Sequence, residues 1–90
     1  MRVTWDPAKS EKLKKERGFS FDDALEIFKR AYVIQHKNDD PEQYKAIGFA
    51  NGQLITLIVE VRHDHIGEHE RFVTLWESTK SEKKTYAQNT

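Results

Sequence analysis

The segment of residues 54–59 constrains the fold of this chain more than any other. Its sequence, Leu-Ile-Thr-Leu-Ile-Val, is an almost continuous run of apolar and β-branched residues, which is typical of a central strand covered on both faces. Asn51-Gly52 stands just before this run, and these two residues accept the positive φ angles of a tight turn. Residues 44–50 and 54–61 are therefore predicted to form a β-hairpin, with helices covering one face of the sheet.

A polar helix is predicted near the N-terminus, after a short strand at residues 2–5. Asp6 can accept backbone N–H bonds as the N-cap, and Pro7 suits the first helical position because its missing donor would have no partner there. Gly18 tolerates the left-handed conformation that ends a helix. Few apolar residues lie between these ends, so we expect a surface helix with two core candidates, Ala8 and Leu13.

A second helix is predicted to begin at Ser20, because Ser20-x-x-Asp23 resembles a capping box. Apolar residues follow at positions i, i+3, i+4 and i+7, which is the spacing of one buried helical face. The predicted core residues of this helix are Phe21, Ala24, Leu25 and Phe28.

The remaining segments complete an α+β fold. Residues 32–36 are predicted as a strand, residues 38–41 as a turn, residues 62–70 as a polar loop and residues 71–76 as the last strand. Thr79-x-x-Glu82 is predicted to cap a short C-terminal helix. The expected architecture is a small antiparallel β-sheet with two N-terminal helices packed on one face and a short C-terminal helix.

The composition indicates a small protein for which a partner surface would be useful. A length of 90 residues suits one domain spanning residues 1–90, and with 37% hydrophobic and 33% charged residues its core is modest. There is no cysteine, which excludes disulfides, thiolate nucleophiles and cysteine-based zinc sites. No apolar run approaches the roughly 20 residues of a membrane span, and no signal peptide is recognisable, so we expect a soluble cytoplasmic protein.

The zero net charge conceals a basic region at each end of the chain. The segment from Arg71 onward is basic and the middle is acidic. Residues 1–18 carry more cations than acids. The cations are Arg2, Lys9, Lys12, Lys14, Lys15 and Arg17. If both ends fold onto one side they frame a cleft for phosphates, and the alternative is a solvated lysine surface.

Two segments, residues 5–9 (Trp-Asp-Pro-Ala-Lys) and residues 18–24 (Gly-Phe-Ser-Phe-Asp-Asp-Ala), resemble the opening of the BrnT family. Its members are the ribonuclease toxins of bacterial type II toxin–antitoxin pairs. The similarity continues through Ile47-Gly48 and residues 52–54 to Thr79-x-x-Glu82-x-x-x-Tyr86. It implies a RelE-like fold and an endoribonuclease that uses no metal or cofactor and inhibits translation by cleaving RNA.

The resemblance also implies the partners of the chain. In this family the antitoxin is typically a BrnA-like ribbon-helix-helix protein, whose dimer binds operator DNA and joins two toxins in a heterotetramer. RNA is then the substrate, operator DNA is reached only through the antitoxin, and no membrane is involved.

The chain departs from the family pattern in two places. Glu16-Arg17-Gly18 stands where the family has Lys-His-Gly, and Val73-Thr74-Leu75-Trp76 stands where it has Ile-Ser-Ala-Arg. Trp76 can stack on a nucleobase but cannot neutralise phosphate. These departures leave an alternative function, a catalytically degenerate toxin-like module that acts as antitoxin partner and corepressor.

RNA cleavage without a metal requires a group that takes the 2′-hydroxyl proton, a group that protonates the leaving oxygen, and cations that stabilise phosphate charge. Glu60 interrupts an apolar strand face. It is either a base whose pKa is raised by partial burial or an ion-pair partner of Arg62 or Arg71. Each arginine is either a phosphate ligand or a member of a surface ion pair. The candidate catalytic residues are Glu60, Arg62, His63 and Arg71.

Three histidines, His63, His65 and His69, lie close together in the predicted polar loop. Imidazoles titrate near neutral pH, so they suit proton transfer. His63-x-His65 also puts two imidazoles on one side of an extended segment, which suits a metal with His69 or Asp64 nearby. The third interpretation is that these histidines are solvated loop residues.

The candidate RNA-binding residues are Lys9, Lys12, Lys83 and Tyr86. The two lysines of the first helix belong to a basic stripe, and Lys9 either contacts phosphate or covers apolar surface with its stem. Tyr86 either stacks on a base or packs the last helix down. Trp5 is interpreted as a core anchor.

Overall fold

The computed structural model describes residues 2–90 and forms an α+β fold. None of the helices in this range has the length and hydropathy that crossing a bilayer requires. A 3₁₀-helix at Leu25–Lys29 directly follows the second α-helix. The elements in chain order are β1 (Val3–Thr4), α1 (Pro7–Arg17), α2 (Phe21–Ala24), β2 (Val33–Asp39), β3 (Glu42–Ala50), β4 (Gln53–Asp64), β5 (Gly67–Glu77) and α3 (Lys80–Asn89).

The five strands form one sheet in the order β1-β5-β4-β3-β2. The predicted fold class is confirmed, and the β3–β4 hairpin turns at Asn51-Gly52 as the sequence indicates. Strands β2 to β5 pair antiparallel with their neighbours, but β1 pairs parallel with β5. Strand β4 therefore lies in the middle of the sheet, and its apolar residues are buried from both faces.

The N-terminal helices pack on the face of the sheet that carries Ile55, Leu57 and Val59. Trp5 stacks on Phe72 in this core with ring centroids 5.7 Å apart, which agrees with its interpretation as an anchor. Asp6 and Ser20 cap α1 and α2 as predicted, since the side chain of each accepts a backbone N–H.

The buried side of the two helices differs from the prediction at two positions. Leu25 is exposed and Ile27 is fully buried instead, because the 3₁₀ segment repeats every three residues and continues the series of Phe21 and Ala24 at Ile27. Ala8 is also exposed. Ser10 is buried in α1, where its hydroxyl accepts the backbone N–H of Phe21 at 2.9 Å.

The predicted polar loop at residues 62–70 is wrong. Strand β4 continues to Asp64 and β5 begins at Gly67, so that Arg62 pairs with His69 in a second long hairpin. The carboxylate of Asp64 accepts the backbone N–H groups of Ile66 and Gly67 and closes the turn. Gly67 adopts a φ of 130°, which favours glycine. The sequence of polar and charged residues here belongs to a solvent-exposed hairpin end.

The other predicted turn is shorter than residues 38–41. Strand β2 continues to Asp39 and β3 begins at Glu42, which leaves only Asp40-Pro41 between them. The hairpins at this end of the sheet therefore extend past the region that the helices cover.

Helix α3 packs on the opposite face of the sheet through the buried carboxylate of Glu82. This carboxylate accepts hydrogen bonds from Trp76 Nε1 at 2.9 Å and from the Thr79 N–H, and it forms a salt bridge with Lys45. Burial opposes ionisation of Glu82, but these bonds outweigh it and lower its pKa from 4.5 to about 2. Ser78 bonds to Thr56 beneath the helix at 2.8 Å.

We predict that Glu82→Gln loosens α3. A pKa that falls from 4.5 to about 2 on folding corresponds to about 3 kcal/mol of stability. Because the folded pKa is the lower one, this contribution is complete above the unfolded pKa and is lost as pH falls through about 2. Urea unfolding should show a loss of about 2–3 kcal/mol at pH 7 that shrinks at pH 3. Glu77→Gln, which alters an exposed carboxylate, is the control. Equal losses at both pH values would contradict the prediction.

Candidate active site

Four residues from four strands form a row across the face that α3 packs on. The sheet register places Thr4 beside Arg71, Arg71 beside Glu60, and Glu60 beside Gln43. Residues paired in this way project to the same side of the sheet. Their neighbours in sequence, such as Phe72 and Val59, enter the core on the other side. We call these four residues the polar row.

Among residues 2–90, helix α3 makes no hydrogen bond or ion pair with the polar row. Its hydrogen bonds and ion pair to the sheet involve Lys45, Thr56 through Ser78, and Trp76, which lie nearer the Asn51-Gly52 turn. Arg62, two residues beyond Glu60 on β4, keeps half of its side chain exposed. We call the polar row together with Arg62 the open face. It is the part of the second sheet face to which α3 does not bond.

Glu60 is held as an anion in the centre of the open face. Its carboxylate accepts Gln43 Nε2 at 2.7 Å and Arg62 Nε at 2.5 Å. The hydrogen bond from Gln43, and then that from Arg62, lower its pKa below the ordinary 4.5 against a smaller opposing effect of burial. The pKa of Glu60 is therefore lowered and not raised, and of the two alternatives the structure contains the ion pair with Arg62.

Arg71 is the cation of the open face that no acid neutralises directly. Its side chain is half-buried, and within residues 2–90 it forms no salt bridge and no side-chain hydrogen bond. Its charge reaches Glu60, where it contributes to the lowered pKa. A guanidinium left without a partner in a half-buried position is available to an anion, and its planar fork suits phosphate.

The histidines separate in the structure. His63 follows Arg62 on β4 and projects to the other side of the sheet, 70% exposed and 3.8 Å from Glu68. His69 pairs with Arg62 and shares its side, with Nδ1 at 3.1 Å from the guanidinium of Arg2. His65 lies in the turn. No three metal-ligating side chains come together among the residues that the structure describes.

Arg2 joins β1 to the β4–β5 turn. Its guanidinium donates to both carboxylate oxygens of Asp64, at 2.9 and 3.1 Å, and to the carbonyl of Gly67. These bonds to Arg2 are the main reason why the pKa of Asp64 is lowered from 3.8 to about 2. The first basic residue of the chain thus fixes the strand that carries Thr4.

Lys9 and Lys12 line a groove of about 480 Å³ between α1 and the outer edge of β5, together with Arg17 and Thr74. The groove exists because β1 pairs only with Glu70 and Arg71, which leaves the rest of this edge without a strand. A bulge in β5 between Phe72 and Thr74 turns Thr74 to the same side as Arg71. The α1 groove therefore opens at the edge of the open face.

Lys83 and Tyr86 lie in a different depression, formed by α3 and the Asn51-Gly52 turn. Tyr86 donates its hydroxyl to the carbonyl of Ala31 at 3.1 Å and packs edge-on against Phe49, and Lys83 is 3.9 Å from Glu77. Of the two interpretations of Tyr86, these contacts agree with the one in which it packs the last helix down. The depressions that hold Lys9, Lys83 and Arg62 share no lining residue. The basic ends of the chain do not frame one cleft.

The two departures from the family pattern meet at the edge of β5. Arg17, where the pattern has histidine, donates Nη1 to the carbonyl of Leu75 at 2.6 Å. Trp76, where the pattern has arginine, donates Nε1 to Glu82 under α3. Arg17 thus bonds to the backbone of β5, and Trp76 bonds to α3.

These features define a small α+β domain with one sheet face closed by helices and the other face partly open, carrying arginines suited to phosphate. A family model described as "Ribonuclease toxin, BrnT, of type II toxin-antitoxin system" matches residues 5–82. The chain belongs to this family. The comparison with curated proteins gives no match. The family match over residues 5–82 confirms the sequence resemblance over most of the chain.

We predict that Gln43→Met raises the pKa of Glu60 toward its ordinary value near 4.5, because Gln43 contributes the largest lowering effect. The carboxyl ¹³C chemical shift of Glu60, followed by NMR through a pH titration, measures this change. Gln53→Met, at the exposed start of β4, is the matched control. An unchanged pKa of Glu60 in Gln43→Met would show that Arg62 alone holds the carboxylate.

Proposed function

We propose that this chain is a toxin that cleaves RNA at the open face, and so inhibits translation, until a cognate antitoxin neutralises it. Membership of the BrnT family supports the class of activity. The observation that carries the proposal is Arg71, a half-buried guanidinium that has no side-chain partner among residues 2–90 and lies one strand away from a carboxylate held by Arg62. Residues 1–90 act as one domain in the cytoplasm, where RNA and antitoxin are available.

The chemistry needs no metal or cofactor in this proposal. The RNA phosphate binds Arg71 and draws Arg62 away from Glu60, since both anions compete for the same guanidinium. Glu60 then loses one of the two hydrogen bonds that lower its pKa, while the bond from Gln43 remains. Its pKa rises, and it becomes a better base for the proton of the 2′-hydroxyl. The 2′-oxygen then attacks phosphorus and the 5′-oxygen leaves with a proton. His69 shares the side of Arg62, so we assign that proton to His69 rather than to His63.

The RNA backbone approaches through the α1 groove in this proposal. Lys9 and Lys12 line the groove, and Thr74 lies between it and the open face. Thr74 is three residues from Arg71 along β5, which is roughly 10 Å of strand. The lysines thus contact phosphates next to the one that is cleaved. Lys83 and Tyr86 lie elsewhere on the surface, and we do not include them in this path.

The partner that we propose is a BrnA-like ribbon-helix-helix antitoxin. Its dimer binds two toxins in a heterotetramer and contacts operator DNA, so that DNA is only an indirect partner of this chain. The support for this assembly is the family, whose description includes the toxin–antitoxin system. The zero net charge of the chain fits a protein that does not bind DNA by itself.

A second function has one observation in its favour. Arg17 and Trp76, which replace the histidine and arginine of the family pattern, are bonded to Leu75 and Glu82 within the protein. In this second function the two positions serve packing and no longer serve cleavage. The chain would keep the antitoxin-binding surface and act as a corepressor without cleaving RNA.

Cleavage of single-stranded RNA in EDTA tests the proposed activity. We predict that the purified chain cleaves RNA, and that Glu60→Gln and Arg71→Ala each reduce the rate about 100-fold or more, because one removes the base and the other a cation at the phosphate. Lys84→Ala, on the exposed side of α3, is the control. Growth arrest on expression and its rescue by co-expressed antitoxin test the biological role.

Two results would contradict the proposal in different ways. A folded wild-type chain that binds its antitoxin tightly but leaves RNA intact would favour the corepressor. Cleavage that stops in EDTA would mean that a metal takes part.

A further inference from the structure

The hydroxyl of Thr4 is an unusual group in this protein. In the part of the chain that the structure describes, Thr4 Oγ1 is the one buried side-chain polar atom without a hydrogen-bond partner. A buried hydroxyl that makes no hydrogen bond is destabilising, by about 1–3 kcal/mol. Such a group in a native fold calls for an explanation, and one explanation is a ligand that supplies the missing bond.

The position of Thr4 indicates which ligand this is. Parallel pairing of β1 with β5 puts Thr4 directly beside Arg71 and on the same side of the sheet. Val3 and Trp5, its neighbours in sequence, pack against the core on the other side. Two groups without partners therefore lie side by side, one a hydroxyl donor and the other a cation.

We propose that Thr4 and Arg71 together form a phosphate subsite, in which the Thr4 hydroxyl and the Arg71 guanidinium donate to oxygens of the same phosphodiester. The inference rests on the proposed function only in taking that phosphodiester to be RNA. Glu60 lies on the far side of Arg71 from Thr4. Arg71 therefore lies between a phosphate held here and the carboxylate that acts as the base. Thr4 and Arg71 both bind the same phosphate, and Thr4 takes no part in the reaction itself.

The anchoring of β1 supports this role. The strand has only two residues, yet Arg2 fixes it to the β4–β5 turn through Asp64 and Gly67, and Trp5 fixes it to Phe72. Residues on either side of Thr4, Arg2 before it and Trp5 after it, are thus held in place. The hydroxyl is buried in the free protein, and in this proposal the side chain of Arg71, which lies beside it, moves to admit the anion.

Binding of a 2′-O-methyl RNA oligonucleotide, which cannot be cleaved through its 2′ position, tests the subsite without requiring activity. We expect Thr4→Val to weaken binding about tenfold, as loss of a hydrogen bond to a charged group does. The same variant should unfold at an equal or higher temperature than wild type, because valine removes a hydroxyl that has no partner in the free protein. A role of Thr4 in folding alone would not produce this opposition of affinity and stability.

Three further variants sharpen the test. Thr4→Ser keeps the hydroxyl and should bind like wild type, and Thr85→Val, which removes a hydroxyl bonded to Ser81 on α3, should have no effect. In an Arg71→Ala background Thr4→Val should weaken binding much less than tenfold, because both groups serve one phosphate. If Thr4→Val does not fold, the comparison of Thr4→Ala with Thr4→Ser decides the matter in the same way.

The outcomes separate this inference from the proposed function. Wild-type affinity in Thr4→Val, or no binding of the oligonucleotide by the wild-type chain, overturns the subsite. Independent effects of Thr4→Val and Arg71→Ala also overturn it. Binding that depends on Thr4 in a chain that does not cleave RNA supports the subsite and contradicts only the proposed cleavage.

Discussion

Strand β4 requires cover on both faces, and the chain supplies it unequally. The N-terminal helices and the 3₁₀ segment close one face around Ile55, Leu57 and Val59. On the other face α3 has only ten residues, which span about 15 Å, while β4 has twelve residues and extends much further. The short helix therefore covers one end of the face. The open face, with its arginines, is what remains.

The carboxylate of Glu82 determines which end is covered. It bonds to Trp76 and Lys45 on two strands and caps its own helix through Thr79, so α3 cannot slide toward the polar row without leaving a buried charge unpaired. The pKa of Glu60 is also lowered, but its setting differs, because Arg62 beside it is half exposed. One carboxylate fixes the fold and the other stands at the candidate site.

Local signals in the sequence predicted the elements, and long-range pairing decided the site. The hairpin at Asn51-Gly52, the caps at Asp6 and Ser20 and the α+β class follow from short-range chemistry and periodicity. Residues 62–70 differ from the prediction because their polarity indicates a loop, whereas cross-strand pairing and the Asp64 turn hold them in a hairpin. The bulge in β5 likewise has no marker in the sequence.

The residues of the polar row differ in how far the sequence could reveal them. Glu60 and Arg71 stand out, one as a charge in an apolar strand and the other as a cation at the start of a strand. Thr4 and Gln43 are ordinary polar residues in short or edge-near strands, and only the sheet register brings them together with the charged pair. Their contribution becomes visible in the unsatisfied hydroxyl of Thr4 and in the bond that holds Glu60.

We propose that RNA binds the part of the sheet that α3 leaves open. Backbone ¹⁵N NMR of the free protein, titrated with a 2′-O-methyl RNA oligonucleotide, tests this directly by locating the amides that respond. We predict the largest shift changes at the polar row and along the α1 groove, with Lys83 and Tyr86 unaffected. Changes centred on the α3 depression, with none at Thr4 and Arg71, would contradict it.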